Sequence, residues 1–263
     1  MSETTVKPGE LNLTPAELAP FIQHTKIDPD ATRDEMIAHA QEAVTHGFNA
    51  AMVPASWLPL VVAELKGTGV EVASALDFPT VGVMTSAGKA AEAAEIARLG
   101  ADQLDMGVQV GWLKSGRYDD FREDIAGVVR ASGLPVKVML ELPLLTDAEK
   151  EAAVELAMEA GASFLKNASS GQIETANPTS VRYLVDRARE GVRVKASGSI
   201  KSYSQGLELL RAGASLLGTS AGLAIITDYD SATYRTGIPL GRIANPADIA
   251  ETVAFLASDR ARH

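Results

Sequence analysis

Two lysines interrupt apolar stretches that otherwise have the composition of buried strands in a parallel sheet. Lys166 lies in the stretch 163–169 (SFLKNAS), and Lys195 lies in the stretch 192–198 (VRVKASG). Burying an ammonium group without a partner is costly, and both burial and a second cation nearby favour the neutral amine. Because a neutral amine can attack a carbonyl carbon and form a Schiff base, two such lysines on successive strands indicate carbonyl chemistry.

A carboxylate in another apolar stretch is the natural partner of these amines. Asp105 lies within 101–108 (ADQLDMGV), where an acid is costly to bury unless it meets a cation or a hydrogen-bond donor. Asp105, Lys166 and Lys195 all fall near the ends of predicted strands, which is where barrel enzymes carry their catalytic residues. A structural ion-pair network is the alternative for each residue taken alone. The three together favour a catalytic site.

The elements that must position these residues alternate along the chain. Amphipathic helical patterns, several of which end near a glycine, separate the apolar stretches. Strands are predicted at 22–27, 47–54, 70–79, 101–108, 136–143, 163–169, 192–198 and 215–220. Helices are predicted at, among others, 85–99, 117–132, 146–160, 178–190 and 203–212.

This alternation predicts an α/β fold with a parallel sheet, and closing eight units gives a (β/α)8 TIM barrel. An open, doubly wound sheet of seven or eight strands is the alternative architecture. The chain has 263 residues, which suits a barrel of about 250 residues. We expect a flexible tail over 1–13, the barrel over 14–228, and a C-terminal extension of one helix over 229–263.

Composition excludes several classes of function. The net charge of −10 argues against a surface for nucleic acid or for anionic membranes. The absence of cysteine excludes disulfides and thiolate chemistry, and four histidines without a His-Glu-x-x-His pattern predict no dedicated metal site. No long apolar stretch and no secretory pattern are present, which predicts a cytoplasmic protein. A homo-oligomer remains open.

Small residues follow the last two predicted strands, at 198–200 (GSI) and 218–222 (GTSAG). Such turns let backbone N–H groups approach an anion, and in barrels the loops after strands 7 and 8 often bind phosphate. They also serve as ordinary strand ends, so their position after the two final strands is what favours a phosphate site.

At these residues the sequence resembles the deoxyribose-phosphate aldolase family of class I aldolases. The resemblance runs from about residue 22 to 226 and is strongest at LDMGVQVGWLKSG, FLKNASSG, VKASGSI and GASLLGTSAG. It implies a (β/α)8 barrel with no metal or organic cofactor. It also implies reversible cleavage of 2-deoxy-D-ribose 5-phosphate to D-glyceraldehyde 3-phosphate and acetaldehyde, so that the partners are small molecules.

The resemblance assigns a role to each candidate residue. Lys166 would form the Schiff base with acetaldehyde, Lys195 would lower the pKa of Lys166, and Asp105 would take part in a proton relay through water. The residues implied to hold the phosphate are Gly171, Gly198, Ser199, Gly218, Thr219 and Ser220.

Several positions depart from the family pattern. Gln23 replaces an aspartate, Val53 replaces an asparagine, and Asp77 replaces a glycine. We expect these to be pocket positions that change the choice of acceptor aldehyde, because a pocket that loses matching polar groups discriminates against a polyol. The alternatives are therefore a Schiff-base aldolase of the same family with another aldehyde, and an inactive barrel that serves as a binding protein.

The C-terminal stretches 237–250 and 253–259 resemble the end of short-chain dehydrogenases. The rest of that family's pattern is missing, because the chain has neither a glycine-rich dinucleotide fingerprint after an N-terminal strand nor a Tyr-x-x-x-Lys pair. We therefore interpret this segment as an appended helix rather than as a sign of oxidoreductase activity.

Overall fold

A computed structural model describes residues 11–227 of the chain. Eight parallel strands close into a barrel in the order β1 to β8, which confirms the predicted TIM barrel and not the open sheet. The strands are β1 (Ile22–Thr25), β2 (Ala50–Met52), β3 (Glu71–Leu76), β4 (Gln103–Gly107), β5 (Val136–Met139), β6 (Phe164–Lys166), β7 (Arg193–Ser197) and β8 (Leu216–Thr219).

Helices connect the strands on the outside of the barrel. They are α1 (Pro15–Leu18), α2 (Arg33–His46), α3 (Leu58–Leu65), α4 (Ser86–Arg98), α5 (Val110–Lys114), α6 (Tyr118–Ser132), α7 (Asp147–Glu159), α8 (Pro178–Val185), α9 (Tyr203–Arg211) and α10 (Gly222–Thr227). Helix α8 ends at Val185, earlier than predicted. The chain still reverses at Gly191, whose φ of 84° is costly for other residues.

Strand register places the candidate residues inside the barrel. Lys166 pairs with Lys195 across β6 and β7, and Asp105 pairs with Lys137 across β4 and β5. Paired residues on neighbouring strands face the same side, and side chains alternate between the two faces of a strand. The apolar neighbours of these residues therefore face the helices, while the charged side chains share the interior.

The loop between β3 and α4 is held by a buried ion-pair cluster. Lys89 Nζ lies 2.9 Å from Asp77 Oδ2 and 2.8 Å from Asp124 Oδ2, and all three side chains are almost fully buried. The carboxylate of Asp77 also accepts hydrogen bonds from the backbone amides of residues 82–84. This network fixes the loop that carries Phe78, a residue of the main cavity wall.

Two predictions concern segments outside the described residues. Most of the expected tail over 1–13, and the extension over 229–263 with its resemblance to dehydrogenases, are not covered by residues 11–227. Among the helices that the structure describes, none is long and apolar enough to cross a membrane.

We expect Lys89→Met to destabilise the protein strongly. The change keeps most of the side-chain length but leaves Asp77 and Asp124 as buried carboxylates without their cation. Removing one partner from a buried ion pair costs about 3–5 kcal/mol, which urea denaturation followed by circular dichroism measures. Lys66→Met, at an exposed position, is the matched control, and an equal loss in both variants would contradict the prediction.

Candidate active site

One carboxylate holds three amines inside the barrel. Oδ2 of Asp105 accepts hydrogen bonds from Lys166 Nζ at 2.9 Å and from Lys195 Nζ at 2.7 Å. Oδ1 of Asp105 lies 3.2 Å from Lys137 Nζ. All four side chains are buried. The structure thus brings together the three residues that the sequence singled out as catalytic, and adds Lys137 on the neighbouring strand.

Charge and burial oppose each other in this cluster. Burial alone would raise the pKa of Asp105, but Lys166, Lys195 and Lys137 outweigh it and hold that pKa well below its usual range. Burial lowers the pKa of Lys195 well below its usual range against the attraction of Asp105, and the two neighbouring lysines lower it further. The cluster therefore favours the neutral form of Lys195 beside a fixed anion.

A glutamine on β1 completes the surroundings of Lys195. Gln23 Oε1 accepts a hydrogen bond from Lys195 Nζ at 2.6 Å. Gln23 Nε2 donates to Asn49 Oδ1 at 2.9 Å and to Gln103 Oε1 at 2.8 Å. Because both amide protons are engaged, the oxygen must face Lys195. The sequence marked Gln23 only as a departure from the family pattern, and the structure places it in contact with a site lysine.

A cavity of about 550 Å³ opens above Lys166 and Lys195 at the carboxyl ends of the strands. One wall is apolar and includes Met52, Phe78 and Met139. The residues predicted to bind phosphate all line this cavity: Gly171, Gly198, Ser199, Gly218, Thr219 and Ser220. Asp105 lies beneath the cavity floor, in contact with the two lysines.

Asn167 ties the ends of the two lysine-bearing strands together. Its Oδ1 accepts from the backbone amide of Ser197, and its Nδ2 donates to the backbone carbonyl of the same residue, both at 2.9 Å. Sequence reasoning missed this residue, although a polar side chain directly after the lysine of a buried strand was a visible signal. These two hydrogen bonds fix the position of Lys166 relative to Lys195.

Glycines allow close approaches at the cavity wall. A Cβ at Gly218 would lie 2.8 Å from Lys195 Cε, and a Cβ at Gly171 would lie 3.0 Å from the backbone nitrogen of Ser199. Thr219 Oγ1 donates to the carbonyl of Ile200 at 2.7 Å. Its hydroxyl proton is therefore committed to the loop, and the group that Thr219 can donate to a bound anion is its backbone amide.

None of the three departures from the family pattern lines this cavity. Val53 packs in the hydrophobic core, and Asp77 belongs to the ion-pair cluster with Lys89. Only Gln23 among the three altered positions touches the site lysines.

Glu141 accepts a hydrogen bond from the amide of Ser169 at 2.9 Å, and burial raises the pKa of this carboxyl.

A second, smaller cavity of about 280 Å³ lies against β1 and α2. His24 and His39 line it and stack with their ring centroids 4.3 Å apart. Burial lowers the pKa of His24 and lowers the pKa of His39 to about 3, so that both rings are neutral at pH 7. Thr25 and Ser220 line both cavities.

Curated proteins similar to this chain include deoxyribose-phosphate aldolases from several organisms. No family model matches the chain. A deoxyribose-phosphate aldolase from Thermosynechococcus vestitus is 40% identical over 210 residues, which is 80% of this chain and 96% of that protein. One from Rhodospirillum rubrum is 41% identical over 223 residues, 84% of this chain and 93% of that protein. A tetrameric deoxyribose phosphate aldolase from Aeropyrum pernix has a TM-score of 0.76 at 28% identity, covering 83% of this chain and 93% of that one.

We expect Gly218→Ala to disturb the site while sparing the fold. The new Cβ would meet Lys195 Cε, the far end of a flexible side chain, so the amine moves away from Asp105 and Gln23. A small displacement of a reacting group can slow reaction by about 10-fold or more. The measurement is the rate at which borohydride traps a small aldehyde on the protein.

The matched control for this prediction is Gly127→Ala, on α6, where a Cβ would meet nothing within 4 Å. Thermal unfolding of both variants checks that the fold is intact. Trapping at the wild-type rate in Gly218→Ala would show that the position of Lys195 does not matter.

Proposed function

The chain belongs to the deoxyribose-phosphate aldolase family, and on that premise we propose that it cleaves 2-deoxy-D-ribose 5-phosphate reversibly to D-glyceraldehyde 3-phosphate and acetaldehyde. One observation carries the proposal at the level of chemistry. Lys166 and Lys195 share a single carboxylate oxygen of Asp105 at the floor of a cavity large enough for a sugar phosphate. This arrangement supports Schiff-base formation with an aldehyde.

We assign the nucleophile to Lys166. Its Nζ attacks C1 of the open-chain aldehyde, and loss of water from the carbinolamine gives a protonated imine. The C3 hydroxyl loses its proton, the C2–C3 bond breaks, and its electron pair neutralises the iminium to give an enamine. Glyceraldehyde 3-phosphate leaves, a proton adds to C2, and hydrolysis of the imine releases acetaldehyde and free Lys166.

Proton transfer falls to Lys195 rather than to Asp105 itself. A group whose pKa lies near the working pH exchanges protons most effectively. The pKa of Lys195 is lowered toward that range, whereas the pKa of Asp105 is held so low that its carboxylate is a weak base. Asp105 then fixes both amines and stabilises positive charge, while Lys195 and water carry the protons.

The phosphate end of the substrate fits the opposite side of the cavity. Ser199 and Ser220 are exposed there, and Lys201 lines the same wall. Backbone amides of the loops after β7 and β8 can donate to an anion, and Lys201 adds a positive charge in a chain whose net charge is −10. The apolar wall with Met52, Phe78 and Met139 suits the two-carbon aldehyde part.

We also propose a cytoplasmic homo-oligomer. The absence of cysteine suits a reducing compartment, and the relative from Aeropyrum pernix is described as tetrameric. Light scattering on the purified chain measures its oligomeric state.

We expect Lys166→Ala to abolish cleavage of 2-deoxyribose 5-phosphate, with turnover reduced about 10³-fold or more because the covalent step is lost. Release of glyceraldehyde 3-phosphate follows the reaction, and mass spectrometry after borohydride reduction with acetaldehyde locates the adduct. Lys195→Ala should retain the adduct on Lys166 but turn over slowly. Lys150→Ala, on α7, is the control.

Near-native turnover in Lys166→Ala, or an adduct mapped to another lysine, would refute the assignment. If the wild type forms an adduct on Lys166 but does not cleave the sugar phosphate, the Schiff-base chemistry stands and the substrate is another aldehyde.

We expect Gln23→Glu to shift the pH profile of turnover. The variant places a carboxylate where a neutral oxygen lies 2.6 Å from Lys195 Nζ, and an adjacent anion raises the pKa of an amine. The limb of the profile in which Lys195 loses its proton should therefore move to higher pH, by about one unit. Gln23→Leu, which removes the contact without adding charge, should not move that limb upward. An unchanged profile in Gln23→Glu would show that Lys195 does not carry the proton.

A further inference from the structure

A cluster of potential metal ligands lies outside the barrel, behind the catalytic cavity. His24 follows Gln23 on β1 and therefore faces α2, because side chains alternate along a strand. His39 and Glu42 are three residues apart on α2 and so share one face of that helix. His24 Nε2 lies 3.1 Å from Glu42 Oε2. One ligand atom from each of the three residues lies within 4.8 Å of the others.

We propose that His24, His39 and Glu42 bind a divalent transition metal ion, for which Zn²⁺ is the best match. Two imidazoles and one carboxylate are a ligand set that zinc proteins use, with the fourth position left to water. This differs from the sequence-based expectation of no metal site. The pattern escaped notice because one ligand lies on a strand and the other two on the following helix.

The spacing of the trio suits a tetrahedral ion. Two ligands each about 2.05 Å from Zn²⁺ at the tetrahedral angle lie about 3.3 Å apart. The distance of 3.1 Å between His24 Nε2 and Glu42 Oε2 is close to this value. His39 would have to approach by at most about 1.5 Å, since no pair in the trio exceeds 4.8 Å. The stacked rings of His24 and His39, whose planes are 27° apart, must also turn so that a nitrogen of each points at the ion.

An unsatisfied nitrogen supports the same assignment. His39 is only 5% exposed, and its Nε2 has no hydrogen-bond partner among residues 11–227. A buried polar atom without a partner costs about 1–3 kcal/mol. A metal bond to Nε2 would satisfy this atom.

The cavity of about 280 Å³ provides the entry path and room for a water ligand. His24, His39 and Glu42 all line it. Thr25 and Ser220 separate it from the catalytic cavity, whose wall they also form. The proposed ion would therefore lie behind the phosphate side of the active site, and its binding does not depend on the reaction proposed above.

The test is metal binding by the full chain after treatment with a chelator. Isothermal titration with Zn²⁺ should give a 1:1 complex with a Kd of about 1 μM or tighter. Co²⁺ should give the intense visible absorption of tetrahedral coordination. His39→Leu, which fills the same space with an apolar side chain, should weaken binding by about 100-fold. Circular dichroism checks that this variant folds.

Two further variants make the result decisive. Glu42→Gln, at a part-exposed position, preserves the fold and removes the anionic ligand, so we expect binding about 10-fold weaker or more. His46→Gln alters a histidine of the same helix outside the trio and should bind Zn²⁺ as the wild type does. Absence of 1:1 binding by the wild type, or unchanged affinity in both His39→Leu and Glu42→Gln, would overturn the proposal.

Discussion

The carboxylate of Asp105 is the interaction on which the interior of this barrel depends. Three lysines face inward at almost the same level, and no other carboxylate in the described part of the chain lies within ion-pair distance of them. One anion cannot balance three ammonium groups in a low-dielectric interior. The barrel resolves this excess by moving an amine toward its neutral form. The electrostatic cost of burying these lysines is therefore also the cause of the reactivity of the site.

The sequence predicts the residues of such a site where a charged side chain interrupts an apolar strand. Lys166, Lys195 and Asp105 could be found from the sequence because each interrupts an apolar strand, and closure of the barrel then brings them together. The contact of Lys195 with Gln23 could not be found in this way, because Gln23 is a neutral residue of a short polar strand and does not interrupt an apolar one. Residue identity alone also misassigned two departures from the family pattern. Val53 and Asp77 were expected to alter the pocket, yet one packs in the core and the other anchors a loop.

These placements bear on substrate choice. Since the altered residues 53 and 77 lie away from the cavity wall, the doubt they raised about the acceptor aldehyde loses its basis. Met52 and Phe78 line the cavity from β2 and from the loop after β3, whereas Ser199 and Ser220 line it from the loops after β7 and β8. An aldehyde and a phosphate at opposite ends of one small molecule match this arrangement, because each end meets groups of its own polarity.

The hydrogen bond between Gln23 and Lys195 joins the first strand of the barrel to the seventh, across the seam where β1 meets β8. Gln23 and Lys195 lie 172 positions apart, so the strand that bears Gln23 is made well before its partner on β7. The surroundings of Lys195 are thus complete only when the barrel has closed. A partly made chain carries Lys195 without the burial and the neighbouring cations that lower its pKa in the closed barrel.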